Sequence, residues 1–335
     1  MPREPGWWYR ERGLTSNTLA PVAHLYGAIA RARLARATSY RSTLPVICVG
    51  NFTAGGSGKT PFTAMLARDL IARGEHPAIL TRGYGGGIKG PHWVDQATDT
   101  AAQVGDEPLL LAKIAPVIVA RDRKAGALAI EQRGQASVIV MDDGLQNPAL
   151  VKELSFAVID ATRRLGNGRV IPAGPLRMPL AVQAKLIDAL VYNGPVSPSF
   201  EAEMEALCPV PALNARLQPE GTSSLAGAPF VAYAGIGNPE RFFETLRAHG
   251  ATLLDAIPFP DHARFSDQDA ERLLALAARH HVHLITTEKD HVRLTGSPKL
   301  EALAAASLTL PVQMKLDAAS QTILDQLLKR ALRTR

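Results

Sequence analysis

A short β-prone run, Pro45–Val49, empties into Gly50-Asn51-Phe52-Thr53-Ala54-Gly55-Gly56-Ser57-Gly58-Lys59-Thr60, and a helical stretch, Lys59–Arg73, follows at once. A glycine-rich turn between a strand and a helix lets successive backbone N–H groups converge at a helix N-terminus. That arrangement cradles an anion, and it belongs at the strand ends of an open α/β sheet. The strict G-x-x-x-x-G-K-[S/T] spacing fails at its first position, which is Thr53. The run is instead the G-G-x-G-K-T variant, with Ala54 where some loops of that class carry a lysine. In such a phosphate loop the lysine, Lys59, reaches terminal phosphates, and the hydroxyl of Thr60 binds Mg²⁺. Asn51, Gly55, Gly56, Ser57 and Gly58 complete the nucleotide-binding segment.

The surrounding chain agrees with this placement. Strand-like runs at Ala78–Leu80, Val117–Ala120, Ser137–Met141, Phe156–Ile159 and Ile187–Val191 alternate with helical stretches at Pro108–Ile114 and Lys124–Gln132. The pattern predicts an α/β fold of the P-loop NTPase type: a mostly parallel sheet with helices on both faces. A Pro/Ser/Gly-rich stretch, Asn193–Phe200, opens a linker. A second, smaller α/β unit follows, with strands Phe230–Ala234 and His283–Thr286 and helices Pro239–His249, Ser266–His280 and Ala318–Leu332. The expected organisation is an N-terminal segment (1–45), a P-loop core (46–195), a linker (196–228) and a second α/β domain with the C-terminal helix (229–335). The basic end of that helix complements its dipole and needs no further role.

A phosphate loop needs a second acidic element to hold Mg²⁺. The run Ser137–Met141 ends in Asp142-Asp143, at the carboxyl end of a strand where ligands of open sheets bind. These two carboxylates and Thr60 are the candidate metal ligands. No N-K-x-D guanine-reading motif occurs, which argues against a GTPase. The motifs to this point leave kinase, ligase and partitioning ATPase open.

Charge is concentrated at one end. The formal net charge is +6, and residues 1–45 hold seven arginines (Arg3, Arg10, Arg12, Arg31, Arg33, Arg36, Arg41) against Glu4 and Glu11. The same segment carries Trp7, Trp8, Tyr9 and Tyr26. A helix from Pro21 puts Val22, Leu25, Tyr26 and Ile29 on one face, with Arg33 and Arg36 continuing it. Arginines beside an apolar stripe suit an anionic membrane surface; the plainer reading is a helix packed on the core. Nucleic acid is not expected as a partner, because no nucleic-acid motif accompanies the charge. No apolar run approaches the roughly 20 residues of a membrane span, and no secretory signal is visible. Cys48 and Cys208 alone give neither a disulfide framework nor a zinc spacing.

Further motifs stand in order: Arg82-Gly83-Tyr84-Gly85-Gly86, Gly105-Asp106-Glu107-Pro108, Asp142-Asp143-Gly144-Leu145-Gln146, Pro172-Ala173-Gly174-Pro175-Leu176-Arg177, Phe259-Pro260-Asp261-His262 and Thr287-Glu288-Lys289-Asp290. With the phosphate loop and Pro21-Val22-Ala23-His24-Leu25-Tyr26-Gly27, this ordered set resembles the tetraacyldisaccharide 4′-kinase family, the lipid A 4′-kinases of Gram-negative bacteria. The resemblance implies an ATP- and Mg²⁺-dependent kinase acting on the 4′-hydroxyl of a tetraacylated glucosamine disaccharide 1-phosphate. It also implies a monotopic enzyme, expected as a monomer, on the cytoplasmic face of the inner membrane.

The resemblance assigns Asp106 as the base, paired with His262, and puts Arg123 near the phosphates. It puts Arg177 near the phosphates and the substrate as well; Gln146, beside the acidic pair, and Arg82, heading a glycine-rich turn at the same sheet edge, are further candidate substrate contacts by position. Read alone, Asp106 also suits a helix N-cap, His262 a loop, and Arg123 the surface. Glu288 and Asp290 read as caps or hinge contacts. Three positions depart from the family pattern: Leu145 for an aromatic residue, Asn147 for a histidine, and Met178 for a glutamate. Two rivals share the loop: an ATP-dependent ligase or synthetase, and a nucleotide-switched membrane-binding module.

Overall fold

A computed structural model describes residues 4–261 and 263–333. His262, Arg3 and Arg335 therefore lie outside the described residues. Among the described residues thirteen strands form two sheets. In chain order they are β1 (Val46–Gly50), β2 (Pro77–Thr81), β3 (His92–Trp93), β4 (Val117–Val119), β5 (Val138–Asp142), β6 (Leu154–Asp160), β7 (Ala189–Asn193), β8 (Ala212–Pro219), β9 (Pro229–Ala234), β10 (Thr252–Pro258), β11 (His283–Thr287), β12 (Ser307–Leu310) and β13 (Val312–Leu316).

The large sheet runs β13-β8-β7-β6-β1-β5-β2-β4-β3. Its inner pairs are parallel, and only the edge pairs β13/β8 and β3/β4 are antiparallel. Every residue of β1, β2 and β5 is buried. Strand side chains alternate between faces, so full burial means helices on both sides. Ile47 and Val49 pack with Phe62, Leu66 and Leu70 of the helix Lys59–Ala72, whereas Val46 and Cys48 face Ala127 and Ile130 of the helix Arg123–Arg133. β1 is thus central, and the loop leaving it opens at the middle of the sheet edge.

The second sheet, β10-β9-β11-β12, is parallel throughout. Its helices Pro239–Ala248 and Asp267–His280 cover opposite faces, through Phe242, Phe243 and Leu246 on one side and Leu273 and Ala277 on the other.

Two expectations about organisation differ from the structure. The stretch 196–228 is not an unstructured linker. It holds the helix Pro198–Leu207, capped by Ser197, and then β8 of the large sheet. Pro198 occupies the first turn, where its missing N–H has no partner to lose, so the Pro/Ser signal marked a helix start. The chain also returns to the large sheet at its end. β13 pairs with β8, and Leu324, Leu328 and Ala331 of the helix Ala318–Leu332 join the Leu66 and Leu70 core. That helix does not belong to the second unit. Its apolar stripe at i, i+4, i+7 fits either sheet, and only the β13 pairing selects one.

The N-terminal helix spans Ala20–Arg36. It meets the core through small residues: Ala23 and Gly27 are buried, and a Cβ on Gly27 would fall 3.2 Å from Pro179 Cγ. The apolar stripe faces outward instead, with Val22 54%, Leu25 63%, Tyr26 45% and Ile29 54% exposed. The core-packed reading of that stripe is therefore not what the structure holds. Among the described residues no helix is long and apolar enough to cross a membrane.

Candidate active site

The loop after β1 owes its shape to residues around it. Gly58, at φ 96°, caps the helix Lys59–Ala72 in the left-handed region that a side chain rarely adopts. A Cβ there would lie 2.5 Å from Asn193 Nδ2. Asn193, at the end of β7, donates that amide to the Ser57 carbonyl at 3.1 Å. Asn51 donates to the Gly55 carbonyl at 3.4 Å, and Gln146 donates to the Asn51 carbonyl at 2.6 Å. Three side-chain atoms buried here, Asn51 Oδ1, Ser57 Oγ and Asn193 Oδ1, have no hydrogen-bond partner. Buried polar atoms rarely stay unpaired without a reason such as a missing ligand. A polyphosphate with its cation fits a cradle that offers such atoms beside a glycine turn.

The acidic pair divides its work. Asp142 is buried, and its two oxygens accept from Thr63 Oγ1 at 3.0 Å and Thr81 Oγ1 at 3.2 Å. Burial, then Glu107 and Asp143, push its carboxyl well above the usual range. Asp143 sits at φ 51° and faces two cations, Lys59 Nζ at 3.6 Å and Arg177 Nη1 at 3.0 Å. Burial alone would raise its pKa, but Lys59 and Arg177 outweigh it and hold it at about 2. Asp142 is thus the carboxyl more inclined to hold a proton, and Asp143 is ion-paired with Lys59 and Arg177. Among the described residues no cluster of three His, Cys, Asp or Glu side chains surrounds a metal position. One or two carboxylates fit Mg²⁺, which takes its remaining ligands from water and phosphate.

The remaining expected residues fall into three groups. Arg177 is at the loop, donating to the Thr53 carbonyl at 3.1 Å as well as to Asp143. Arg123 is 2% exposed and ties strand ends together, donating to the carbonyls of Ala120 at 2.8 Å and Asp142 at 3.2 Å. It is a buried brace beside the acidic pair and not a surface charge. Gln146 spends its amide on Asn51 and on Gln183 Oε1. Arg82 is exposed on the glycine-rich turn after β2.

Asp106 is the first residue of the helix Asp106–Ala112, with Gly105 at the cap position, so the N-cap reading misses by one residue. It is 5% exposed, and it meets the second sheet through Arg293 Nε at 3.0 Å and Lys289 Nζ at 3.9 Å. Arg293, Lys289, Asn193 and Gln183 were not among the expected site residues. Arg293 had one faint signal, its position three residues after Asp290 in the last ordered motif.

The three departures have structural places. Met178 is 3% exposed and lies in the interior. Leu145 packs under Gly50, where a Cβ would come within 2.4 Å of Leu145 Cβ. Asn147 Oδ1 accepts from the Ala149 N–H at 2.9 Å and shapes a turn.

Residues 15–331 match the family model described as tetraacyldisaccharide-1-P 4′-kinase. The chain belongs to the tetraacyldisaccharide 4′-kinase family. The tetraacyldisaccharide 4′-kinase of Rhodopseudomonas palustris (strain BisA53) is 49% identical over 325 residues, covering 94% of this chain and 92% of the relative. That of Methylorubrum extorquens is 50% identical over 302 residues, covering 89% and 91%. Among solved structures, the Aquifex aeolicus family member LpxK, crystallised in complex with ATP, superposes with a TM-score of 0.76. It is 26% identical, and the match covers 95% of this chain and 100% of that one. The kinase family thus accounts for both sheets and for the N-terminal helix.

Proposed function

We propose that this family member transfers the γ-phosphate of ATP to the 4′-hydroxyl of a tetraacyldisaccharide 1-phosphate, as a peripheral enzyme on the cytoplasmic face of the inner membrane. The carrying observation is the glycine cradle after β1, with Lys59 and the Asp142/Asp143 pair at its mouth. Phosphoryl transfer is mostly positioning and charge neutralisation, and the site supplies both. Lys59, now beside Asp143, is placed to turn to the terminal phosphates while Arg177 keeps Asp143 neutralised. Thr60 and the Asp142/Asp143 pair would hold Mg²⁺, which offsets phosphate charge when bound. Asp106 is the candidate proton acceptor for the sugar hydroxyl; His262, its expected partner, is outside the described residues.

The outward apolar stripe Val22, Leu25, Tyr26 and Ile29, followed by Arg31, Arg33 and Arg36, supports membrane contact by the helix Ala20–Arg36. Each cation near an anionic leaflet contributes about 1 kcal/mol. No partner chain enters this reading, and the enzyme acts as a monomer. The test is acceptor selectivity: ATP and Mg²⁺ are supplied with the disaccharide 1-phosphate or with its 4′-deoxy analogue in mixed micelles. The reading expects a new phosphate monoester on the first lipid alone. Equal phosphate release with both, and no labelled lipid, favours the ligase or switch alternative.

A further inference from the structure

Arg293 joins the two sheets at one carboxylate. It follows the helix Glu288–His291 of the second unit, and its side chain is 7% exposed. Nη1 donates to the Gly235 carbonyl at 2.8 Å and to Asp290 Oδ1 at 2.8 Å. These contacts hold the guanidinium against its own sheet. Nε then donates to Asp106 Oδ2 at 3.0 Å, and Nη2 reaches the same oxygen. Asp106 belongs to the large-sheet unit, and Glu107 N donates to its other oxygen at 3.0 Å.

Other charged groups face this carboxylate. Lys289 approaches from the second unit, 3.3 Å from Glu107 Oε1. Glu107 lies on the same helix as Asp106, Asp290 lies behind Arg293, and Tyr84 and Asp261 stand in the same electrostatic neighbourhood.

We propose that Arg293 is a positioning residue that orients the Asp106 carboxylate from across the interface, so that the proton acceptor is assembled only when the second sheet docks on the first. The inference rests on the reading of Asp106 as the base. A guanidinium fork fixes a carboxylate plane better than a point charge does. It also keeps the carboxylate ionised, at some cost in basicity. Orientation matters more, because phosphoryl transfer depends on geometry beyond base strength.

The test compares Arg293→Gln, Arg293→Lys, Asp106→Asn and the Asp106→Asn/Arg293→Gln double variant in the lipid-phosphorylation assay across pH. Arg293→Gln is expected to lower kcat on the order of 100-fold, with the KM for ATP unchanged. The acidic limb of its pH–rate profile should move up, because a carboxylate that loses a facing cation is harder to ionise. Arg293→Lys should recover part of both effects, and Arg293→Gln should add nothing in the Asp106→Asn background. A wild-type kcat and acidic limb in Arg293→Gln would overturn the proposal. So would the same fold loss in both backgrounds, which marks a merely structural role. If Arg293→Gln does not fold, Arg293→Lys decides: a wild-type kcat overturns the proposal, and a lowered kcat with the KM for ATP unchanged supports it. Full activity in Asp106→Asn alone removes the base reading itself, and the proposal with it, and is seen without any Arg293 variant.

Discussion

Asn193 reaches from the end of β7 to the Ser57 carbonyl, 3.1 Å away and 136 residues earlier in the chain. The peptide group is planar and trans, so fixing the Ser57 carbonyl on one side turns the Gly58 N–H to the other. One amide from a neighbouring strand therefore helps set the direction of a loop N–H.

Asn193→Ala should weaken nucleotide binding about tenfold, since it leaves a buried carbonyl unpaired at a cost of about 1–3 kcal/mol. Titration calorimetry with ATP checks this. A lower melting temperature with unchanged ATP affinity would limit Asn193 to a structural role.

Lys59→Ala should lower kcat by at least about 10²–10³-fold, the range for losing one charge-stabilising group. The protein should stay folded, because Arg177 still neutralises Asp143. Circular dichroism with a turnover assay separates the two effects, and near-normal turnover would remove Lys59 from the chemistry.

Gly50→Ala should destabilise the fold by about 1–3 kcal/mol through overpacking, because its Cβ would lie 2.4 Å from Leu145 Cβ. Thermal melts should show the loss, and Leu145→Ala in the same chain should restore part of it. No change in melting temperature would mean that the Gly50–Leu145 contact yields easily.

Leu25→Asp with Ile29→Asp should reduce binding to anionic vesicles and leave the melting temperature alone, since both side chains face outward. Deleting residues 1–20 is a poorer test. Trp8 Nε1 donates to the Pro172 carbonyl at 3.0 Å and Ser16 Oγ to the Ala173 carbonyl at 3.0 Å, so truncation removes core contacts too. Vesicle flotation reads the outcome, and unchanged binding would move the membrane contact elsewhere.

Glu131 carries a pH dependence of stability. Burial would raise its pKa, but hydrogen bonds from Ser42, Tyr40 and Thr43 win and hold it below the ordinary value of 4.5. A depressed carboxylate stabilises the fold above its unfolded pKa, and that contribution fades as pH falls through the folded value. Glu131→Gln should therefore melt lower at neutral pH and show a shallower acid decline. Parallel pH–melting curves for the two proteins would contradict this.

The local features were legible in the sequence. The glycine turn, the Asp142-Asp143 strand end and the helix from Pro21 with its Val22, Leu25, Tyr26 and Ile29 stripe each lie within a few consecutive residues, where periodicity and turn chemistry act directly. The joins were not legible. Asp106 and Arg293 are 187 residues apart, and nothing local to either predicts the pairing. The return of β13 to β8 was hidden in the same way, because an edge strand carries no mark of the sheet it will extend. Gln146 read as a ligand contact because a polar residue beside an acidic pair suits that role; that its amide holds the backbone of Asn51 had no local signal.

The central claim is that the phosphate held in the loop after β1 is delivered to a lipid. The most direct measurement incubates the protein with ATP labelled at the γ-phosphate, Mg²⁺ and the tetraacyldisaccharide 1-phosphate in detergent micelles, and then resolves the lipid fraction. Label on the lipid with wild-type protein, and none with Lys59→Ala, is the predicted result. ATP hydrolysis with an unlabelled lipid fraction would contradict it.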